Sequence, residues 1–232
     1  MAHYHQFWKL NRYTHGYRLS RVFLAAFLLY SCSFFSPGSV LFANEGNQEQ
    51  LDQLLQRVEH QASGTRTVQC SFIQERTLTI FSKPVLFKGQ MPLSRPDKLR
   101  WENLDPIPSA LVFSGDKGLR CNDDAPPVHF DLQTDPVMKM VAEQIWTWAD
   151  GDYERLKNKY RIRLVDDNAI ELIPADTTGN VIQTIRVTFD QKTLQPSTVL
   201  VQERGGDSTK ISFYDYLLNQ PVDDALFTTC SP

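Results

Sequence analysis

The residue types that most often carry out chemistry are few and scattered in this chain. After residue 43 only two histidines remain, His60 in a helical pattern and His129 alone in a strand-like stretch. Metal sites need clustered ligands, and no H-x-x-x-H spacing is present. No G-x-S-x-G nucleophile elbow is found either. The sequence therefore predicts no metal site, no cofactor and no serine hydrolase of that type.

Adjacent carboxylates occur three times, at Asp123-Asp124, Asp166-Asp167 and Asp223-Asp224. Neighbours in a strand face opposite sides, so such a pair does not build a two-carboxylate site, and in turns these residues are common. The stretch RGGDS (204–208) lacks the lysine and the helix of a phosphate-binding loop. We therefore predict that the protein is not an enzyme. An enzyme that acts on a lipid is the least favoured alternative.

Three cysteines follow residue 43, namely Cys70, Cys121 and Cys230. Cys70 lies in an apolar alternation and is predicted to be a small core residue. A thiol protease would require Cys70 to be exposed, against this pattern. No C-x-x-C motif is present, which argues against thiol redox chemistry. An exported protein can hold one disulfide from three cysteines, and we predict the pair Cys121 and Cys230.

The first 43 residues have the features of a secretory signal peptide. Four basic and no acidic residues occur among them, and the stretch 22–43 is apolar. We expect cleavage after Ala43; an uncleaved anchor and lipidation at Cys32 are the alternatives. Without residues 1–43 the chain has 20 basic and 27 acidic residues, a net charge of −7 with His neutral. This charge argues against a nucleic-acid partner, and residues 44–232 fit a single domain.

The hydrophobic pattern predicts an α+β fold with one helix in front, one in the middle and about ten or eleven antiparallel strands. Apolar residues form a single stripe over 51–62, which indicates an amphipathic helix. Alternating segments from TVQCSFIQER (67–76) onward, including LTIF (78–81), are separated by turn residues every eight to twelve positions. Asp135 and Pro136 have the types expected at a helix start. The helix that follows, 137–149, is apolar around most of its girth.

One block of sequence resembles a known family. An amphipathic helix is followed by SFIQER (71–76), by G-x-x-x-L-x-R-P-D-x-L-R-W (89–101), by Asp105-Pro106 and by G-D-K-G-L (115–119). This order is similar to that of the periplasmic outer-membrane lipoprotein carriers, the LolA family. The resemblance covers most of residues 50–230. The chain departs from the family at GLRCND (118–123), where the family typically has an aromatic-rich strand and this chain has no aromatic residue. Residues 79–91 are more similar to the sequences of a divergent branch of the family.

The resemblance implies an unclosed antiparallel β-barrel with a helical lid over a cavity for acyl chains. In the family, an inner-membrane ABC transporter supplies the cargo and an outer-membrane receptor accepts it. A monomer suits such a shuttle. Because of the departures, the cargo stays open between a lipoprotein, a glycolipid and a lipid-linked pigment. The expected cavity lining is Val68, Phe72, Met91, Leu93, Leu99, Trp101, Val112, Met138, Val141, Ile145 and Trp148. The alternative is that these residues form an ordinary hydrophobic core.

By motif match, Arg95 is the residue that hydrogen-bonds to the lid and keeps it shut until cargo binds. The alternative is an ordinary rim arginine in a surface salt bridge, worth roughly 0–1 kcal/mol. An acyl chain of about 15 methylenes represents about 12 kcal/mol of hydrophobic free energy, so it needs an escort through water. We therefore expect an apolar interior that stays open beneath a movable cover. A second hypothesis is an envelope sensor that uses a related lipid-binding fold for regulation.

Overall fold

The computed structural model describes residues 39–122, 125–176 and 181–230, with side chains described from residue 46. The expected signal peptide, residues 1–43, therefore lies outside the described residues except for the backbone of 39–43. Asp123-Asp124 lies outside them as well. Within the described part of the chain no helix is both long enough and apolar enough to cross a membrane.

Eleven antiparallel strands form one sheet that does not close into a barrel. The spatial order is β6-β5-β4-β3-β2-β1-β11-β10-β9-β8-β7, so the first and last strands pair and β6 and β7 form the two edges. The fold class predicted from the sequence is therefore confirmed. The strands are β1 (Thr67–Thr77), β2 (Val85–Ser94), β3 (Lys98–Asp105), β4 (Ser109–Ser114), β5 (Lys117–Asn122), β6 (Ala125–Asp131), β7 (Tyr160–Asp166), β8 (Ala169–Pro174), β9 (Ile182–Phe189), β10 (Pro196–Glu203) and β11 (Ser208–Leu218).

Two helices and two short 3-10 turns complete the fold. They are α1 (Ser39–Ser63), α2 (Pro136–Ala149) and the turns Arg155–Asn158 and Asp224–Phe227. Helix α1 begins earlier than the apolar stripe over 51–62 predicted. The segment LTIF (78–81), predicted as a strand, is a loop. Its apolar residues have no partner strand, and Ile80 and Phe81 are exposed.

The alternation in β1 explains why one face of the sheet is buried. Val68, Cys70 and Phe72 point to the inner face and are at most 5% exposed. The register pairs Val68 with Leu93 of β2, and Leu93 in turn pairs with Leu99 of β3. Directly paired residues share a face, so the three strands present one continuous apolar surface. Helix α1 adds the buried residues Leu51, Leu54, Leu55 and Val58 to this core.

Helix α2 begins where the sequence predicts. The Asp135 carboxylate accepts hydrogen bonds from the backbone N–H groups of Val137 and Met138, both at 3.0 Å, and Pro136 occupies the first turn. Ala142 and Trp148 are buried, whereas Val137 and Met140 are 58% and 59% exposed. The helix connects β6 to the second half of the sheet and packs its apolar side against the inner core cluster.

The opposite face of β3–β5 is covered by the C-terminal segment, residues 222–230. Val112, Leu119 and Phe227 form a separate small core there. Val112 pairs with Arg100, while Leu111 pairs with Trp101. The prediction that Val112 lines the inner cavity is therefore wrong. Its strand alternates as expected, but the register with β3 turns Leu111 and Phe113 inward instead.

Two features hold the C-terminal segment in place. Cys121 and Cys230, the pair predicted from the sequence, are joined by a disulfide. Arg100 is 1% exposed, and its guanidinium donates hydrogen bonds to the backbone carbonyls of Leu226, Thr229 and Cys230. It also forms an ion pair with Glu102 at 2.6 Å. We call Arg100 and this disulfide the C-terminal clamp.

The environment of Glu102 keeps it ionised. Burial raises the pKa of the Glu102 carboxyl, but hydrogen bonds from Arg100 and Gln90 and the positive charge of Arg100 outweigh burial and lower the pKa overall. The buried arginine therefore faces a carboxylate at neutral pH, which is the arrangement that a buried ion pair requires.

Candidate functional site

The inner face of the sheet is filled by an aromatic cluster beneath α2. The ring centroids of Phe72 and Trp101 lie 4.1 Å apart in a stacked arrangement. The ring centroid of Trp148 of α2 lies 6.0 Å from that of Trp101 and 5.2 Å from that of Phe213. The expectation of an open apolar hollow is wrong for this arrangement, because the lid tryptophan occupies the middle of the barrel.

One cleft reaches this cluster from the barrel end near the β1–β2 and β10–β11 loops. It has a volume of about 370 Å³, and we call it the mouth cleft. Its apolar wall is Trp101, Leu111, Val141, Ile145, Trp148 and Ile211. Small-molecule sites are usually about 300–1,000 Å³ and mostly apolar with a few polar groups. The mouth cleft therefore has the size of a small-molecule site, with an apolar wall on one side and a polar part of comparable extent.

Arg95 lies at the opposite end of the sheet, where it contacts the C-terminal end of α2. Its guanidinium donates to the Asp150 carboxylate at 2.8 Å and to the Ala149 carbonyl at 3.2 Å. The Arg95 and Asp150 side chains are 19% and 23% exposed. The Arg95 Nε is buried and has no hydrogen-bond partner among the described residues. We call Arg95 and its two contacts the latch.

Asp150 is an unusual residue for its position. It caps the C-terminus of α2, and no basic residue lies in the last turn of the helix. A carboxylate there is repelled by the negative end of the helix dipole. The second oxygen of Asp150 accepts from Arg155 at 2.6 Å, so two guanidiniums offset this repulsion. The C-terminal end of α2 is thus stabilised by charges from residues outside the helix.

A second cleft of about 620 Å³ lies beside the latch. Its lining includes Arg95, Asp150 and Arg155 together with Lys139 and Trp146 of α2. This latch cleft is more highly charged than the mouth cleft, and the lid helix separates the two. Trp146 and Trp148, two residues apart, therefore contribute to different clefts.

The backbone after the latch is anchored in the core. Tyr153 is 2% exposed, and its hydroxyl donates to the Trp148 carbonyl at 3.0 Å. Its ring packs edge-on against Phe189 at 5.6 Å. Gly151, which lies between Asp150 and Tyr153 in the chain, has a φ of +82°. A Cβ at this position would lie 2.5 Å from the Ala62 side chain of α1. This linker therefore needs glycine, and it fixes the C-terminal end of α2 against α1.

The predicted lining residues fall into three groups. Trp101, Val141, Ile145 and Trp148 line the mouth cleft. Val68, Phe72, Met91, Leu93 and Leu99 are at most 3% exposed and lie deeper in the core beneath the lid. Met138 and Val112 line neither the mouth cleft nor the latch cleft, since Met138 is half-buried in the first turn of α2 and Val112 faces the C-terminal segment. The lining prediction is therefore incorrect for Val112, and for Met138 it stays a prediction.

Several residues of the site were missed by the sequence analysis. Leu111 and Ile211 line the mouth cleft. The alternation in β11 was a signal for Ile211, whereas the consecutive apolar residues of β4 gave none for Leu111. Asp150 and Arg155, which complete the latch, had no such signal. A carboxylate at the end of a predicted helix is an ordinary solvent-exposed choice, and its distance from Arg95 is decided only by the tertiary structure.

The described residues offer no obvious nucleophile in the interior. Cys70 is 5% exposed, and burial raises the pKa of its thiol to about 12 despite a hydrogen bond with Tyr216. A thiol that stays protonated at neutral pH is a poor nucleophile. His60 and His129 are both exposed. Among the described residues no group of three His, Cys, Asp or Glu side chains could hold a metal ion.

Comparison with known proteins identifies relatives of this chain. The family model described as outer membrane lipoprotein carrier protein LolA matches residues 63–230. An outer-membrane lipoprotein carrier protein of Chromohalobacter salexigens is 25% identical over 143 residues, which cover 61% of this chain and 65% of that protein. The corresponding protein of Dechloromonas aromatica is 35% identical over 77 residues, which cover 33% of this chain and 34% of that protein. The matches thus span less than two thirds of either relative.

A solved structure of low sequence identity is also similar to this chain. The LolA superfamily protein NE2245 from Nitrosomonas europaea is 13% identical, with a TM-score of 0.42, and the match covers 77% of this chain and 97% of that protein.

Proposed function

We propose, on the premise that the chain belongs to the outer membrane lipoprotein carrier protein LolA family, that it is a periplasmic carrier of acylated cargo. Its proposed role is to take a lipoprotein or a related acylated lipid from an inner-membrane ABC transporter and to deliver it to an outer-membrane receptor. The observation that carries this proposal is the mouth cleft, whose apolar wall includes Trp148 of a helix that Arg95 contacts at its C-terminal end.

The energies of the latch and of an acyl chain support this role. The latch consists of one partly exposed ion pair, worth roughly 0–1 kcal/mol, and one further hydrogen bond of about 0.5–1.5 kcal/mol. Each buried methylene contributes about 0.8 kcal/mol, so about three methylenes are enough to balance the latch. An acyl chain that enters the mouth cleft would take the place of Trp148 against Trp101 and Phe213. The lid could therefore open without exposing the apolar side chains beneath it to water.

Trp148 connects the place where the cargo would bind to the residues of the latch. Trp148 lies two residues before Asp150, and both precede the linker that Tyr153 anchors. Displacing the Trp148 ring by an acyl chain shifts the last turn of α2, where the Ala149 carbonyl and the Asp150 carboxylate meet Arg95. Binding at one side of the lid would in this way loosen the contacts at the other.

Mass spectrometry of lipids extracted from the purified protein tests the proposal most directly, together with uptake of a fluorescent fatty-acyl probe. We expect bound acylated material and saturable uptake. Arg95→Leu should change the rate at which the probe is released. Lys98→Leu is the matched control, because it removes a nearby ion pair with Asp224 that does not touch α2. Failure to bind any acylated molecule would refute the carrier role.

The sensor hypothesis makes a different prediction. A regulatory module of this fold would co-purify with a signalling partner and without lipid. Recovery of such a partner, with no acylated lipid in the extract, would favour regulation over transport.

A further inference from the structure

The inner face of the sheet changes from apolar to polar toward the mouth cleft. Along β1 the inward residues are Val68, Cys70 and Phe72, which are buried, and then Gln74 and Arg76, which are not. The paired strand β11 follows the same order, since Phe213 and Ile211 precede Thr209 toward that end.

Two further strands repeat this change. In β3, Leu99 and Trp101 are followed by Asn103, and in β10, Val199 and Val201 are followed by Glu203. The polar residues at this end that line the mouth cleft are Gln74, Arg76, Asn103, Glu203 and Thr209, and we call them the polar ring. Strand β2 is an exception, because its inward residue Phe87, which pairs with Gln74, is apolar. The change of polarity thus involves four strands of the mouth.

The latch end of the interior has the opposite character. Val68, Leu93 and Leu99 form its inner surface and are at most 3% exposed, and Leu54 and Leu55 of α1 belong to the same core cluster. An acyl chain can end there without contacting water, whereas a polar head group would lose its hydration with nothing in return. The change from apolar residues at the latch end to polar residues at the mouth cleft therefore favours one orientation of a bound lipid.

The polar ring also has unused hydrogen-bonding capacity. Asn103 donates through Nδ2 to the Ser109 hydroxyl at 3.1 Å, but its Oδ1 is buried and has no hydrogen-bond partner among the described residues. Arg76 and Glu203 form no ion pair with any described residue. A buried acceptor without a partner costs free energy that a ligand donor can recover. The polar ring holds one cation, Arg76, and one anion, Glu203, and the Asp207 carboxylate of the adjoining turn also interacts with Arg76. This end therefore has no excess of positive charge, and it suits a neutral or zwitterionic head group better than an anionic one.

We propose that the cargo, if the protein is the carrier proposed above, lies with its head group in the polar ring and its acyl chain ends toward the latch. The head group carries no net charge and contributes at least one N–H or O–H donor, which the Asn103 Oδ1 accepts. Uncharged glyceryl or amide-linked heads and zwitterionic heads belong to this class. A head group with a single uncompensated negative charge does not.

Paramagnetic broadening of amide NMR signals tests the orientation on the full chain. The probe is a palmitoyl lysophosphocholine with a nitroxide on its choline, compared with the same lipid with the nitroxide at the chain end. The head label should cause loss of amide signals at 74–76, 203 and 209, and the chain-end label should do so near 93–99. The reverse pattern would overturn the orientation and leave the carrier role intact. No binding of either lipid would overturn both.

Asn103→Leu tests the head-group contact by titration with monopalmitoyl glycerol, whose hydroxyls can donate. Loss of one hydrogen bond should weaken binding by about twofold to tenfold. Asn158→Leu is the matched control, since Asn158 is exposed in the turn Arg155–Asn158 and does not line the mouth cleft. Both variants must melt as cooperatively as the parent protein. Equal or tighter binding by Asn103→Leu would refute the role of the polar ring.

Discussion

Two short segments cover the two faces of the same sheet, and each is held by an arginine from the stretch RPDKLR (95–100). On the outer face, Arg100 is 1% exposed and binds three carbonyls of the C-terminal segment as well as Glu102. On the inner face, the Arg95 side chain is 19% exposed and makes two contacts with the end of α2. A disulfide reinforces the outer cover, and nothing covalent holds the inner one in the described structure.

The difference shows how one sheet can combine a permanent cover with a removable one. Buried charge pairs are costly to break, because the remaining charge is left without water or a partner. A partly exposed pair is replaced by water at little cost. We therefore expect the outer cover to contribute more to the stability of the fold than the inner cover.

The largest expected effect comes from removing the disulfide. In Cys121→Ser the loop between the two cysteines, 109 residues apart, is no longer closed in the unfolded state. The chain-entropy estimate for such a loop is about 4–5 kcal/mol of unfolding free energy. Urea unfolding of the variant and of the reduced parent protein should show similar losses. A loss below about 1 kcal/mol would mean that the outer cover does not depend on this bond.

Arg100→Leu should follow closely. It leaves the Glu102 carboxylate without its ion-pair partner and three carbonyls without donors, so we expect about 3–5 kcal/mol of lost stability. Lys98→Leu, which breaks an exposed pair with Asp224 of the same C-terminal segment, should cost no more than about 1 kcal/mol. Similar urea midpoints for the two variants would remove the distinction between the clamp and an ordinary surface contact.

Arg95→Leu should change stability by only about 1 kcal/mol, since Asp150 keeps Arg155 as a partner. Asp150→Asn should have a similar effect on lid opening, and the double variant should add little, as expected for residues that share one interaction. Hydrogen exchange of α2 amides measures this opening. A global loss of several kcal/mol would instead make the latch part of the permanent core.

The smallest expected effect is a dependence on acid pH. Because the pKa of Glu102 is lower in the folded protein than its ordinary value of 4.5, ionised Glu102 stabilises the fold above that value. This contribution is lost as the pH falls below 4.5 toward the folded pKa. Glu102→Gln should therefore show a weaker pH dependence of unfolding in this range than the parent protein. If the pH dependence of unfolding were the same in the two proteins, the Glu102 carboxyl would titrate in the folded protein as it does in the unfolded chain.

The sequence pattern was sufficient for the architecture and for most inward positions, though not for the phase of every strand. The alternation in β1 and β3 correctly predicts that Phe72 and Trp101 are buried on one side. In β4, Leu111, Val112 and Phe113 are all apolar, so alternation alone cannot tell which side faces inward. The register with β3 decides this, because Val112 must share a face with Arg100.

By itself, the sequence determined that the chain forms an antiparallel sheet with two helices, that Asp135 and Pro136 begin the second helix, and that Arg95 stands at a rim beside a proline. These features depend on neighbours within a few positions, where propensity and periodicity act. Only the tertiary structure decided that Arg95 meets Asp150, that Arg100 is buried under residues 226–230, and that Trp148 fills the barrel. Such contacts join residues from about 50 to 130 positions apart, and their energies depend on burial that no local pattern records.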